Sequence, residues 1–151
     1  MSLILKIDGL DRLTALLEKA PATVIKHTNV AILGVITLIE NQAKKEAPIG
    51  LTKKLHNMWT KTFSPLTGKI SSQMPYALGI EFGTAPHKVP VSEIAPWAIS
   101  KGLNPWAVAK SIAKKGTRAN PFFQRALDNS EDGVNKIIKG VLDNAITELN
   151  K

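Results

Sequence analysis

Three features of this 151-residue chain could do chemistry: a lone carboxylate in an apolar stretch, three histidines, and a Gly-Lys step. The carboxylate is Glu81, inside Pro75–Thr84, PYALGIEFGT. Acid–base work by carboxylates needs titratable groups whose environments push their pKa values apart. No second acid lies near Glu81, so it is expected to cap a helix or pair with a basic neighbour. His27, His56 and His87 are scattered and lack the close spacing of metal-ligating pairs. Thr67-Gly68-Lys69 resembles the end of a phosphate loop. That motif needs a Gly five residues before its second Gly and a Ser or Thr after the Lys, and Phe63 and Ile70 stand there. There is no nucleophile elbow and no Ser–His–Asp arrangement. No catalytic, cofactor-binding or metal-binding residue is assigned, and the chain is expected not to be an enzyme.

The elements that hold these residues follow from periodicity and punctuation. Leu3–Ile7 alternates like a short strand and closes at Asp8-Gly9. Residues 11–20 read as a helix, with Leu10, Leu13, Leu16 and Leu17 on one face. Ala22–Glu46 contains no breaker except Gly34, is apolar nearly all round in its middle, and ends before Pro48, so it is the longest helix expected. Leu55–Phe63 alternates, SPLTG (Ser64–Gly68) supplies a tight turn, and Lys69–Ser72 pairs back as a β-hairpin. His56 is then a surface strand residue. Tyr76–Phe82 fits both a strand and one or two helical turns, and Gly83 ends either.

Three short helices follow. Ser92 can cap one that runs to Lys101. Asn104-Pro105 opens a second that stops at Gly116, and Asn120-Pro121 opens a third from Phe122. Trp97 and Trp106 are expected to anchor the first two in the core. In the last helix Val134, Ile137, Ile138, Val141, Leu142, Ala145 and Leu149 form one stripe. The expected fold is α+β: a small, mainly antiparallel sheet packed by one long helix, with additional C-terminal helices. Residues 1–151 form one domain, with a helical subregion over 92–129 and a C-terminal amphipathic helix over 130–150.

The chain has no cysteine, which excludes disulfides and thiolate chemistry. Residues 1–9 do not read as a secretory signal, because Lys6 and Asp8 interrupt their apolar stretch. The longest apolar run, Val30–Ile39, falls short of the ~20 residues of a membrane span, so a soluble protein with no membrane partner is expected. The net charge of +8 is concentrated in two blocks. Residues 44–70 carry six basic and one acidic side chain, and residues 94–127 carry six basic and no acidic ones. Such blocks suit a solvated face, an acidic partner or sequence-independent contact with nucleic acid. Few aromatics are interleaved for base stacking.

Four motifs stand in order along the chain. They are Ala47-Pro48, Thr52-Lys53-Lys54-Leu55, Tyr76-Ala77 with Glu81-Phe82-Gly83-Thr84, and Gly116-Thr117-Arg118 followed by Pro121-Phe122-Phe123 and Arg125-Ala126-Leu127. This order resembles the head–tail connector or tail-completion proteins of long-tailed bacteriophages, typified by gene product ten of a lambda-like phage. The resemblance covers about residues 22 to 140. Lys53 departs from the glycine of the family's Thr-Gly-x-Leu stretch. The resemblance implies a non-enzymatic protein of the virion neck or tail, made in the host bacterial cytoplasm, that forms a ring with copies of itself and meets neighbouring neck or tail proteins. Its motif residues would be Tyr76, Ala77, Glu81, Phe82, Gly83, Thr84, Gly116, Thr117, Pro121 and Phe122, with Glu81–Gly83 shaping the sheet side. The candidate interface is Lys101, Lys110, Lys114, Lys115, Arg118 and Arg125, facing a ring neighbour or the DNA channel. The rival reading is a basic nucleic-acid-binding module of prophage origin.

Overall fold

A computed structural model describes residues 22–50, 54–57 and 59–149. The expected strand Leu3–Ile7 and the helix over 11–20 lie outside these residues, as does Lys53. The described chain is α+β, as expected: seven helices and one two-stranded antiparallel sheet.

Helix α1 (Ala22–Glu46) is the axis of the body. It is also the one described helix long and apolar enough to cross a membrane by length and composition. The contiguous run Val30–Ile39 is only its middle; Ala22, Val24 and Ile25 extend the apolar character toward the helix start. Within this fold the hairpin, α6 (Phe122–Asp128) and α7 (Glu131–Leu149) pack against α1, which buries Ile36, Ile39, Glu40 and Ala43 and leaves Val30 and Leu33 57% and 50% exposed. The α1–α7 pair runs antiparallel at close range. The space a Cβ would take at Gly34 is 3.3 Å from Ile137 Cγ2, and at Gly133 it is 2.6 Å from Leu38 Cδ2.

The hairpin is β1 (Trp59–Ser64) and β2 (Thr67–Ser72), in register from Trp59 opposite Ser72 to Ser64 opposite Thr67. It is shorter than the expected Leu55–Phe63 strand, because residues 54–57 form a helical turn, α2 (Lys54–Asn57). His56 therefore lies on a helix, with Nδ1 buried. The turn also differs from expectation. Gly68 lies in the strand, where a side chain would collide with Ile32 and Ile36 of α1 at 2.7 Å. The positive φ of the turn falls on Leu66 (φ 60°), a costly conformation for a residue with a Cβ. Burial of Leu66 and the hydrogen bond from its N–H to Asn29 Oδ1 (2.8 Å) hold it there.

The core is a single cluster of Ile39, Ala43, Ala47, Leu55, Ile70, Ala77, Phe122, Phe123 and Ala126. Trp59 closes it, stacked on Phe123 at 5.6 Å and edge-on to Phe122 at 6.3 Å. Glu40 is the buried charge of α1. It receives Lys44 at 2.7 Å and Lys61 of the hairpin at 2.6 Å. Burial pushes its carboxyl up, and the hydrogen bonds and charges of the two lysines more than reverse this, holding it below the ordinary carboxylate value.

Candidate interaction surface

Residues 76–82 resolve to a helix, α3 (Ala77–Phe82), not a strand. A helix puts Ala77 and Glu81 on one buried face and leaves Tyr76 and Phe82 outside. Glu81 is buried without a basic partner because it caps α6. Its Oε2 accepts the Phe123 N–H at 2.8 Å and its Oε1 accepts the Gln124 N–H at 3.0 Å. The residue at the cap position of α6 is Pro121, which has no side-chain acceptor, so a carboxylate from 42 residues upstream meets the orphan amides and the positive end of the helix. Asn120, expected as the cap, turns to Arg125 instead, accepting its Nη2–H at 2.9 Å. Both Glu81 oxygens are thus engaged in capping α6.

Immediately after this cap the chain is pinched. Thr84 and Thr117 exchange backbone hydrogen bonds (3.1 and 3.2 Å), and their hydroxyls meet at 2.9 Å. The Asn120 N–H donates to the Ile80 carbonyl at 2.8 Å. The backbones approach so closely that glycine is needed on both sides. Gly83 and Gly116 both have φ 73°, and a Cβ on Gly83 would lie 2.6 Å from the Thr117 carbonyl oxygen, while one on Gly116 would overlap that of Thr84. Thus Glu81, Gly83, Thr84, Gly116, Thr117 and Pro121, scattered over forty residues, converge on one clasp. Phe122 continues from it into the core. The hydrogen bonds that Glu81 and Thr84 make across the fold run to Phe123, Gln124 and Thr117 and not to the hairpin. They fasten the two ends of an excursion.

The excursion is a helical pair, α4 (Val91–Ser100) and α5 (Pro105–Lys115). Pro90, not Ser92, occupies the start of α4, with no side-chain cap, and Pro96 sits inside that helix. Asn104 caps α5 as expected, accepting from the Trp106 and Ala107 N–H groups. Ala98 is the only fully buried side chain of the pair, and α5 buries none. Trp97 and Trp106 are therefore not core anchors: Trp106 is 74% exposed and Trp97 41%. Ile99 and Leu103 are exposed beside them. Between pair and body lies a cleft of about 680 Å³, with Ile49, Leu55 and Ile80 on the body side and Ile94, Trp97 and Ile112 on the other. Tyr76 stands at its margin, where partial burial pushes its hydroxyl up from the ordinary 10.0.

The six candidate interface cations divide. Lys101, Lys110, Lys114, Lys115 and Arg118 are exposed and make no ion pair among the described residues. Arg125 does not belong with them. Its Nε–H donates to Glu46 at 3.0 Å, and Glu46 also accepts from Asn129, so Arg125 fastens α6 to the end of α1. The histidines do not meet. His27 contacts Glu148 at 2.7 Å, and His87 Nδ1 lies 3.3 Å from Thr84 Oγ1. Among the described residues no three His, Cys, Asp or Glu side chains form a metal-binding group.

Sequence reading missed a second apolar surface. On α7 the expected stripe is two rows. Val134, Ile137, Val141 and Ala145 turn toward α1, whereas Ile138, Leu142 and Ile146 are exposed at 43%, 56% and 56%. The width of the stripe was the signal, since Ile137-Ile138 and Val141-Leu142 each span about 100° of the helix. Comparison with protein-family models, with curated proteins and with solved structures returns no match.

Proposed function

We propose that the chain is a non-enzymatic phage or prophage structural protein of the virion neck, joining head to tail or completing the tail as one subunit of a ring. One observation carries this reading. Six of the motif residues of the resemblance fall on the clasp and core (Glu81, Gly83, Thr84, Gly116, Thr117, Phe122), and what the clasp holds out is a helical pair with exposed Trp106, Ile99 and four cations, Lys101, Lys110, Lys114 and Lys115, that make no ion pair among the described residues. An element that buries a single side chain of its own, kept in place by two positive-φ glycines and the Glu81 cap, suits a docking arm. A closed ring requires head-to-tail contacts between unlike surfaces, and an arm with a complementary site elsewhere meets that requirement. The same cations support the second reading, a nucleic-acid-binding module, through sequence-independent phosphate contact.

Light scattering on a sizing column, at low and high salt and with and without duplex DNA, tests both. A discrete multimer indifferent to DNA is expected. A monomer or dimer that shifts onto DNA at low salt, and comes off steeply as salt rises, favours the second reading. Reversing Lys110, Lys114, Lys115 and Arg118 to Glu is expected to abolish virion assembly; intact assembly removes this face from the interface.

A further inference from the structure

The helix α5 and the outer row of α7 are complementary in both charge and apolar character. On α5, Trp106, Lys110 and Lys114 recur every four residues and are all exposed, so one row runs from apolar to basic along the chain. On α7, Glu131, Asn135, Ile138, Leu142 and Ile146 share a row by the same spacing, running from acidic to apolar, with Asp132 exposed beside its acidic end. Laid antiparallel, the two rows match: Trp106 against Leu142 and Ile146, the lysines against Glu131 and Asp132. The lengths agree. Trp106 to Lys114 spans about 12 Å and Leu142 to Glu131 about 16 Å at the helical rise, and a flexible lysine stem covers the difference. Within one chain α5 and α7 share no extensive packing. The segments that carry them are opposite in net sign, residues 94–127 with six basic and no acidic side chains and residues 128–151 with five acidic and three basic.

We infer that the subunit contact is heterologous, with α5 of one copy docked antiparallel on the Ile138–Leu142–Ile146 row of α7 in the next. This deepens the ring reading and rests on it. Because one subunit offers α5 and its neighbour offers α7, every subunit keeps one free surface of each kind, and the contact propagates until it closes.

The natural absence of cysteine permits a clean test. Ile138 is the residue that faces Lys110 when Trp106 faces Leu142. A Lys110→Cys chain mixed with an Ile138→Cys chain under mild oxidation is expected to yield mixed dimers above either homodimer, and a chain carrying both cysteines a ladder of covalent multimers. Lys110→Cys mixed with Thr62→Cys, on the exposed face of the hairpin, is the control; a mixed dimer no more abundant than that control overturns the inference. Adding Lys114→Glu to the Lys110→Cys chain is expected to abolish linkage, and Glu131→Lys with Asp132→Lys in the Ile138→Cys chain to restore it; linkage indifferent to both overturns the docking register. The unmodified chain is sedimented alongside. If it forms a closed multimer while the mixed pair fails to link, the contact lies elsewhere and the ring reading stands. If it is a monomer that shifts onto duplex DNA, the ring reading falls and the contact with it. If it is a monomer and Leu142→Asp lowers its thermal midpoint, the α7 row is covered within the chain by residues 1–21, and the inference is overturned.

Discussion

The body and the α4–α5 pair are made from the same kinds of residue and put them to opposite uses. In the body the large aromatics face inward: Phe122 and Phe123 are buried, and Trp59 stacks on them. In the pair, two tryptophans face out and a single alanine is fully buried. Two acids of the body, buried Glu40 and half-buried Glu46, are paired with cations as well. Glu40 holds Lys44 and Lys61, and Glu46 holds Arg125, while the cations of α5 have no described partner. A region that exposes what its neighbour buries is stabilised by its attachment more than by its own packing. Here the attachment is the clasp between Thr84 and Thr117.

The sharpest way to break this contrast is in the core. Phe122→Ala removes a fully buried ring from between Trp59 and the rest of the cluster. It is expected to cost about 3–5 kcal/mol and to lower the denaturant midpoint of the whole domain. A loss below about 1 kcal/mol would mean that the body is packed as loosely as the pair.

Gly116→Val should come next, with an effect confined by region. A side chain at φ 73° that overlaps the Thr84 carbonyl must open the clasp. Amide exchange is expected to speed up across residues 85–115 while the amides of α1 keep their protection, because local openings report local stability. Uniform loss of protection would show that pair and body unfold as one unit, and the division drawn here would fail.

Much of this division is written in the sequence, and the unread part has a physical cause. The long helix, the hairpin, the Asn104 cap and the α+β class follow from local punctuation, since each depends on neighbours within a few residues. Glu81 announced itself as an unexplained charge in an apolar stretch, and the option of a cap was correct. Its partner, however, is a helix start 42 residues away, which no local pattern encodes. The strand expected over Leu55–Phe63 is shorter in the structure because Leu55–Asn57 belong to a helical turn that packs against α1. The tryptophans were misassigned because residue type predicts burial only on average. Trp106 sits on a helix that has no core to face. Leu66 took the positive φ that Gly68 suggested for itself, because Gly68 was needed where the strand crosses Ile32 and Ile36.

The buried pairing of the body gives a pH signature that the pair should lack. Glu40 has its pKa lowered in the folded chain by Lys44 and Lys61, below the ordinary value of 4.5. A carboxyl lowered on folding adds stability that is complete above its unfolded value and disappears as pH falls through its folded value. Thermal midpoints are therefore expected to drop below about pH 4.5, and Glu40→Gln should flatten that slope while lowering stability at neutral pH. An unchanged slope in the variant would assign the acid sensitivity to other carboxylates.

The smallest expected effect is the most telling for the pair. Trp106→Ala deletes the largest side chain of α5, and in a core such a deletion would cost about 3–5 kcal/mol. With three-quarters of Trp106 in solvent and no buried neighbour on its own helix, the monomer's stability is expected to change by no more than about 0.5 kcal/mol. An indole contributes most where it is desolvated, so its contribution belongs to a contact made outside the monomer. Measuring the variant's unfolding and its self-association in parallel separates the two. Unchanged unfolding with weakened association places Trp106 in the interface. A midpoint shift comparable to that of Phe122→Ala would instead show that Trp106 is buried within the monomer in solution.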